Sequence, residues 1–417
     1  MRSKLRSARG ERGLAWQMVR AAAAACALIA AVAVGVVAAR AAPGLTGGPD
    51  DAFQTSVPNA ILVEPDSSSV LFAKNADQPI EPGSMAKLMT LEYVFHEIKQ
   101  GRLKLDDQFT ISENAWRKGG APSHGSTMFA AIHSQVDLDD LIRGIIVDSA
   151  NDACMAIAEK LAGSEAAFGQ ILTKRAREIG LQHSTFTNST GYFDPGLHVT
   201  VRDLADLARH IIQDYPRFYP YFAQRDFTWN NIHQENRNPL LGMGLGADGL
   251  KAGESSDGGF GLVGSAVEND VRLIVVVAGA KTDKERAAEA QKLLQWGFGN
   301  FEFQPLFAKG QSIGAAEVFG GNVGYVPLVA ADRIRLMVPR HGDEQLSARI
   351  DYTGPVPAPI RKGQAIGTLK VWRGDSLALE VPLAAAENVG KGTLSQRALD
   401  GAAELMIGLF RAGIKRL

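Results

Sequence analysis

Two strand-like runs around residue 270 (260–265 and 271–278) and two near residue 60 (60–64 and 69–72) bracket a long stretch of helical periodicity. Such runs, rich in Val, Ile, Leu and Phe, read as strands. Strands at both ends of one stretch, with helices between, point to a single sheet built from both termini of an α/β domain spanning residues 59–303. The first pair turns around Pro65, Asp66, Ser67 and Ser68. Residues 84–100 carry Leu88, Leu91, Val94, Phe95 and Ile98 at helical spacing. Further helices are expected at 138–146, 153–161 and 202–212, the first two broken around Ser149, and a helix over 282–296 closes the region.

Beyond Phe303 the texture changes. Ile334, Leu336 and Val338, and again Leu377, Leu379, Val381 and Leu383, alternate with polar or small residues between recurring Gly/Pro turns, which predicts a small all-β domain over 307–386. The 417 residues have room for two or three domains of about 100–200 residues each. Residues 394–417 return to a helical stripe of Leu399, Met406, Leu409, Phe410, Ile414 and Leu417, with Arg411, Lys415 and Arg416 crowding the end. A terminal amphipathic helix of this kind suits an anionic membrane interface; the alternative is a helix docked on its own domain.

The N-terminus reads as an address. Six basic residues up to Arg20 precede an apolar run over 21–39, and Ala39-Arg40-Ala41-Ala42 supplies a small-residue cleavage site, so residues 1–42 are expected to be a secretory signal peptide cut near Ala41 or Ala42. An uncleaved signal anchor is the alternative. Residues 43–58, rich in Gly, Pro and Asp, form a linker. Cleavage removes seven basic residues and one acidic residue from totals of 44 and 45, leaving 37 against 44, or −7. A chain with that balance has no basic field for nucleic acid. Two cysteines, one of them (Cys26) inside the leader, exclude a disulfide scaffold and leave Cys154 as a buried thiol, and the scattered histidines offer no structural zinc site.

Three polar clusters carry the chemistry. In Pro82-Gly83-Ser84-Met85-Ala86-Lys87, Ser84 and Lys87 are three apart in the first turn of a helix and share a face. A serine needs an adjacent base to become a nucleophile, and a lysine is that base only when neutral, which burial or a neighbouring cation achieves. The second cluster is Asp148-Ser149-Ala150-Asn151-Asp152, where Ser149 can relay protons and the Asn151 amide can hold both lysine and a substrate carbonyl. The third, Asp248-Gly249-Leu250-Lys251-Ala252-Gly253-Glu254, puts a second cation on an edge strand whose glycines allow a peptide close approach.

The order S-x-x-K, S-x-N, K-x-G resembles the set found in serine acyl-transferases of the penicillin-binding class. The chain is similar to the low-molecular-mass penicillin-binding proteins, and within them to the D-alanyl-D-alanine carboxypeptidases. Residues 75–77, 112–116, 125–129, 144–147, 188–191 and 236–238 add to the likeness. The resemblance implies a β-lactamase/transpeptidase-like fold, an antiparallel sheet flanked by helices, over 59–303, followed by a β domain and a membrane anchor. It further implies that Ser84 attacks the carbonyl between the two terminal D-alanines of a peptidoglycan stem peptide and that Lys87 is the general base. Ser149, Asn151 and Lys251 would complete the proton network, and Arg237 would bind the terminal carboxylate. The backbone N–H groups of Ser84 and Glu254 would form the oxyanion hole. β-Lactam antibiotics would be covalent inhibitors. No metal or organic cofactor is needed, and the enzyme would be periplasmic, attached peripherally to the outer face of the inner membrane.

One departure stands out. The family pattern is Lys-Thr-Gly, commonly followed by His; here it is Lys251-Ala252-Gly253-Glu254. Ala252 cannot hydrogen-bond a substrate carboxylate, a loss on the order of 1.5–3 kcal/mol, and Glu254 adds a negative charge nearby. A weakened or specialised relative (a D,D-endopeptidase, or a non-catalytic wall-peptide binder) is therefore carried as the alternative, with a β-lactamase behind it.

Overall fold

The computed structural model describes residues 53–340, 346–373 and 376–398. The expected signal peptide, most of the expected linker and most of the expected tail helix lie outside them. Two strands open the fold, β1 (Asn59–Glu64) and β2 (Ser69–Lys74), and three more follow the helical stretch: β3 (Ala247–Ser255), β4 (Gly259–Glu268) and β5 (Val271–Ala280). They form one antiparallel sheet in the order β2-β1-β5-β4-β3. The expected sheet from both termini is thus found, with β5 beside β1 and β3 left as a free edge.

The sheet is covered on both sides, which explains why its sequence runs are continuously apolar. Side chains alternate across a strand. Along β5, Ile274 and Val276 face a core shared with the helical body, while Leu273, Val275 and Val277 face a second core with Ala290, Leu293 and Leu294 of the closing helix (Asp283–Asn300). The helical body comprises α1 (Lys87–Lys99), α2 (Glu113–Gly119), α3 (Leu138–Val147), α4 (Asn151–Ala162), α5 (Glu165–Glu178) and α6 (Val201–Asp214); the closing helix is α7. Several helices start where a hydroxyl caps an orphan N–H: Ser164 accepts from Ala167, Thr200 from Asp203 and Thr282 from Glu285.

Helix α2, the short strand pair Gln108–Thr110/Gln135–Asp137, helix α5 and the hairpin Asp226–Trp229/Ile232–Glu235 were not expected from the sequence; α5 has a weak apolar stripe of Phe168, Leu172 and Ala176, and the hairpin exposes most of its side chains. The β domain also begins earlier than residue 307. Strand β6 (Phe301–Phe307) leaves α7 directly and pairs with β9 (Ile334–Pro339). The Arg335 guanidinium lies 3.6 Å over the Phe303 ring, and Phe301 packs on Trp296, so the aromatic start of β6 belongs to both domains. Strands β7 (Gly314–Phe319), β8 (Tyr325–Val329), β10 (Leu346–Tyr352), β11 (Val356–Pro357), β12 (Ala365–Arg373) and β13 (Ser376–Ala385) build a sheet in the order β10-β12-β13-β8-β7-β11 over its own core.

Candidate active site

After Pro82 the backbone makes a 3-10 turn, Gly83–Ala86, and α1 begins at Lys87. Ser84 therefore sits in the tighter turn ahead of the helix rather than in its first turn. In 3-10 geometry residues three apart nearly eclipse, and Lys87 Nζ lies 2.8 Å from Ser84 Oγ. The turn is pressed against the edge strand. Gly83 has φ +50, and a Cβ there would fall 2.2 Å from the Glu254 carbonyl oxygen, so only glycine fits. Across the gap a Cβ on Gly253 would fall 2.8 Å from both Met85 N and Pro82 O.

Lys87 is 1% exposed. Burial pulls its pKa down to about 8, with Cys154, Glu165 and Asp152 pulling the other way. Its second contact is a bond donated to the Thr190 carbonyl at 2.7 Å. That loop is held by Glu165 of α5, which accepts from Ser189 N–H and Oγ–H, each at 2.8 Å, while Asn188 Oδ1 accepts from Gly191 N–H at 2.8 Å. The amine is thus fixed from two sides, one of them the Ser84 hydroxyl.

Between α3 and α4, Ser149 adopts a left-handed backbone, φ 59, which a non-glycine residue holds only under constraint from its surroundings. The constraint is visible. Asp148 and Ala150 N–H both donate to Gly144 O at 3.0 Å, and Asn151 N–H donates to Ser126 O at 2.9 Å. Asn151 Nδ2 donates to Tyr192 Oη at 2.9 Å. Ser149 Oγ and Asn151 Oδ1 are buried with no partner among the described residues. Asp152 accepts from Thr127 Oγ–H (2.6 Å) and from the N–H groups of Met128 and Ala130 (each 3.2 Å), fixing the wall that carries Ser126.

Lys251 on β3 is 1% exposed, and burial together with the charge of Lys87 holds its pKa well below the usual value. Arg237 is exposed and flanked by Asn236 and Asn238, whose side-chain oxygens accept from Asn238 N–H (2.9 Å) and Leu240 N–H (3.1 Å). Asp148 is buried, its carboxylate without a partner among the described residues; burial pushes its pKa up to about 7 against the pull of Arg237 and Lys251. Cys154 is a buried free thiol pushed up to about 12 by burial and is inert at neutral pH.

A cleft of about 1110 Å³ is lined by Ser84, Ser149, Asn151, Arg237, Ala252 and Glu254, among others, with Lys87 and Lys251 buried behind that lining. All seven residues singled out in the sequence gather around this one cleft. The Thr190 carbonyl comes from the 188–191 segment that added to the likeness, whereas two further contributors carried no sequence signal: Glu165 behind that carbonyl, and Arg286 of α7, which also lines the cleft. Among the described residues no three His, Cys, Asp or Glu side chains form a metal-ligating group.

Residues 48–282 match the family model described as Peptidase S11, D-alanyl-D-alanine carboxypeptidase, and residues 301–391 match that of the penicillin-binding protein 5 C-terminal domain. The chain is 37% identical over 343 residues to D-alanyl-D-alanine carboxypeptidase DacC of Escherichia coli K12, covering 82% of this chain and 86% of that one. It is 38% identical over 317 residues to DacA of Haemophilus influenzae, covering 75% and 80%. The crystal structure of penicillin-binding protein 5 from Haemophilus influenzae superposes with a TM-score of 0.71 at 35% identity, over 84% of this chain and 100% of that one. With residues 48–282 and 301–391 matched in order to the two family models, the chain belongs to the D-alanyl-D-alanine carboxypeptidase family of penicillin-binding serine peptidases.

Proposed function

We propose that this protein removes the terminal D-alanine from peptidoglycan stem peptides through an acyl-enzyme on Ser84. The observation that carries the reading is the 2.8 Å approach of a buried lysine amine, with a pKa near 8, to a cleft-lining serine hydroxyl. Neutral Lys87 takes the Ser84 proton as Oγ attacks the carbonyl between the two D-alanines. The N–H groups of Ser84 and Glu254 receive the developing oxyanion, each contributing about 3 kcal/mol. Ser149, whose hydroxyl has no other partner among the described residues, relays the proton to the amine of the departing D-alanine, with Lys251 buried nearby. Asn151 holds the substrate carbonyl, and Arg237, an exposed planar fork at the cleft wall, takes the terminal carboxylate. Water then hydrolyses the ester. β-Lactams acylate the same oxygen.

Incubation with a pentapeptide ending in D-Ala-D-Ala is expected to release free D-alanine; intact peptide with measurable binding would favour the second reading, a weakened wall-peptide binder. That reading draws its support from Ala252, 5% exposed in the cleft lining and without a side-chain donor. Ala252→Thr is expected to raise kcat/KM on this substrate roughly ten- to a hundredfold, as a regained bond to a charged group would. Unchanged kinetics would mean the hydroxyl is not needed.

The leader pattern supports export to the periplasm, and the residue pattern of 394–417 supports peripheral attachment to the outer face of the inner membrane. Among the described residues no helix is long and apolar enough to cross a membrane. Deleting 394–417 is expected to move the mature protein from membrane to soluble fractions on cell fractionation; equal partitioning of both forms would rule out anchoring by this segment.

A further inference from the structure

The oxyanion hole proposed above depends on one peptide group, that between Gly253 and Glu254. Its N–H faces the nucleophile's turn, because Glu254 N and O lie 3.1 and 2.2 Å from where a Gly83 Cβ would stand. Its carbonyl points the opposite way, as the two ends of a trans peptide must. On that far side is Arg286, reaching from α7 behind the β3–β4 pair. The residue is only 6% exposed. Its Nη1–H donates to Gly253 O at 3.3 Å and, more weakly, to Gly261 O at 3.5 Å, and Gly253 and Gly261 are cross-strand partners. The guanidinium is pinned by an ion pair with Asp283 on its own helix and lies 5.8 Å from the centre of the Phe260 ring. Burial lowers its pKa to about 10, with Glu254 opposing, which leaves it charged at neutral pH.

We propose that Arg286 is a positioning residue for the oxyanion hole: by holding the Gly253 carbonyl from behind, it aims and polarises the Glu254 N–H at the other end of the same peptide. A charge-assisted bond to a carbonyl draws electron density from the amide nitrogen, and so strengthens its N–H as a donor. It also fixes a free-edge strand that lacks a neighbouring strand on the cleft side. This role also accounts for an oxyanion donor that tolerates Glu254 in place of the family's histidine, since what is held is backbone.

The inference rests on Ser84 being the acylated residue, and the test separates the two. Parent protein, Arg286→Met and Arg286→Lys are compared in the rate of acylation by penicillin, in KM for the pentapeptide, and in the infrared stretch of the acyl-ester carbonyl. Methionine keeps the length and removes every donor. It is expected to slow acylation about 10- to 100-fold, short of the loss from deleting a donor outright, to move KM less than about threefold, and to shift the ester carbonyl to higher wavenumber as its hydrogen bonds loosen. Lysine, which can still donate to Gly253 O, is expected to recover most of the rate. If Arg286→Met does not fold, Arg286→Gln, too short to reach Gly253, is measured in its place against the same outcomes. Equal acylation rates and an unchanged carbonyl stretch would overturn the positioning role, as would a loss carried entirely by KM. A parent protein that forms no ester at Ser84 would instead defeat the underlying mechanism.

Discussion

Ser84→Ala is expected to fold normally and to form no covalent adduct with penicillin, while D-alanine release falls by on the order of a million-fold, the cost of removing the nucleophile from a catalytic unit. The fold should survive because the hydroxyl is half-buried at the cleft and its contact is the Lys87 amine. What supports the turn is backbone packing: Gly83 and Gly253 let it meet β3 without clash. Intact-mass measurement after penicillin treatment checks the adduct, and circular dichroism checks the fold. An alanine variant that labels as fast as the parent would move the nucleophile elsewhere; no other hydroxyl among the described residues has a buried amine within bonding distance.

Lys87→Met should be nearly as severe. Methionine matches the lysine stem in shape and fills the same buried channel, but offers nothing to take the Ser84 proton. Loss of a general base costs up to about 10⁴-fold, and acylation should fall by roughly that amount with binding of the intact pentapeptide little changed. The Thr190 carbonyl loses its 2.7 Å donor, which destabilises by about 1–3 kcal/mol, partly offset by no longer holding an amine away from water. The melting temperature should therefore change little while turnover collapses. A methionine variant that keeps more than about a tenth of parental acylation would exclude Lys87 as the base.

The sequence made the linear order of the chemistry readable, because each cluster lies on a local feature: Ser84 and Lys87 at a helix entrance, Ser149 and Asn151 in a break between two helices, Lys251 beside glycines on a strand. The sheet was readable for a related reason. Strands such as β1 and β5, buried on both faces, leave unbroken apolar runs, and runs at both ends of a helical stretch have few ways to pair. What stayed hidden enters through tertiary packing. Glu165 is, in sequence, one acidic residue after a serine cap, and only the folded chain sets it beneath Ser189 and so behind the Lys87 amine. Arg286 sits in a helix full of charged residues and reads as surface until α7 is laid behind β3 and β4. The 3-10 entry to α1 was missed because Ser84 and Lys87 keep the same spacing in either helix type. The early start of the β domain was masked by Phe301 and Phe303, whose rings pack against Trp296 and Arg335 from opposite sides of the boundary.

The claim on which the mechanism turns is that the neutral form of Lys87 strips Ser84 of its proton. Burial places the Lys87 pKa near 8, so at pH 7 about one amine in ten is neutral. The direct measurement is the second-order rate constant for penicillin acylation of the parent protein as a function of pH. A neutral-amine base predicts a rate that climbs about tenfold per unit below pH 8 and levels above it. A rate that stays flat from pH 6 to 9, or that falls as the lysine loses its charge, would contradict it.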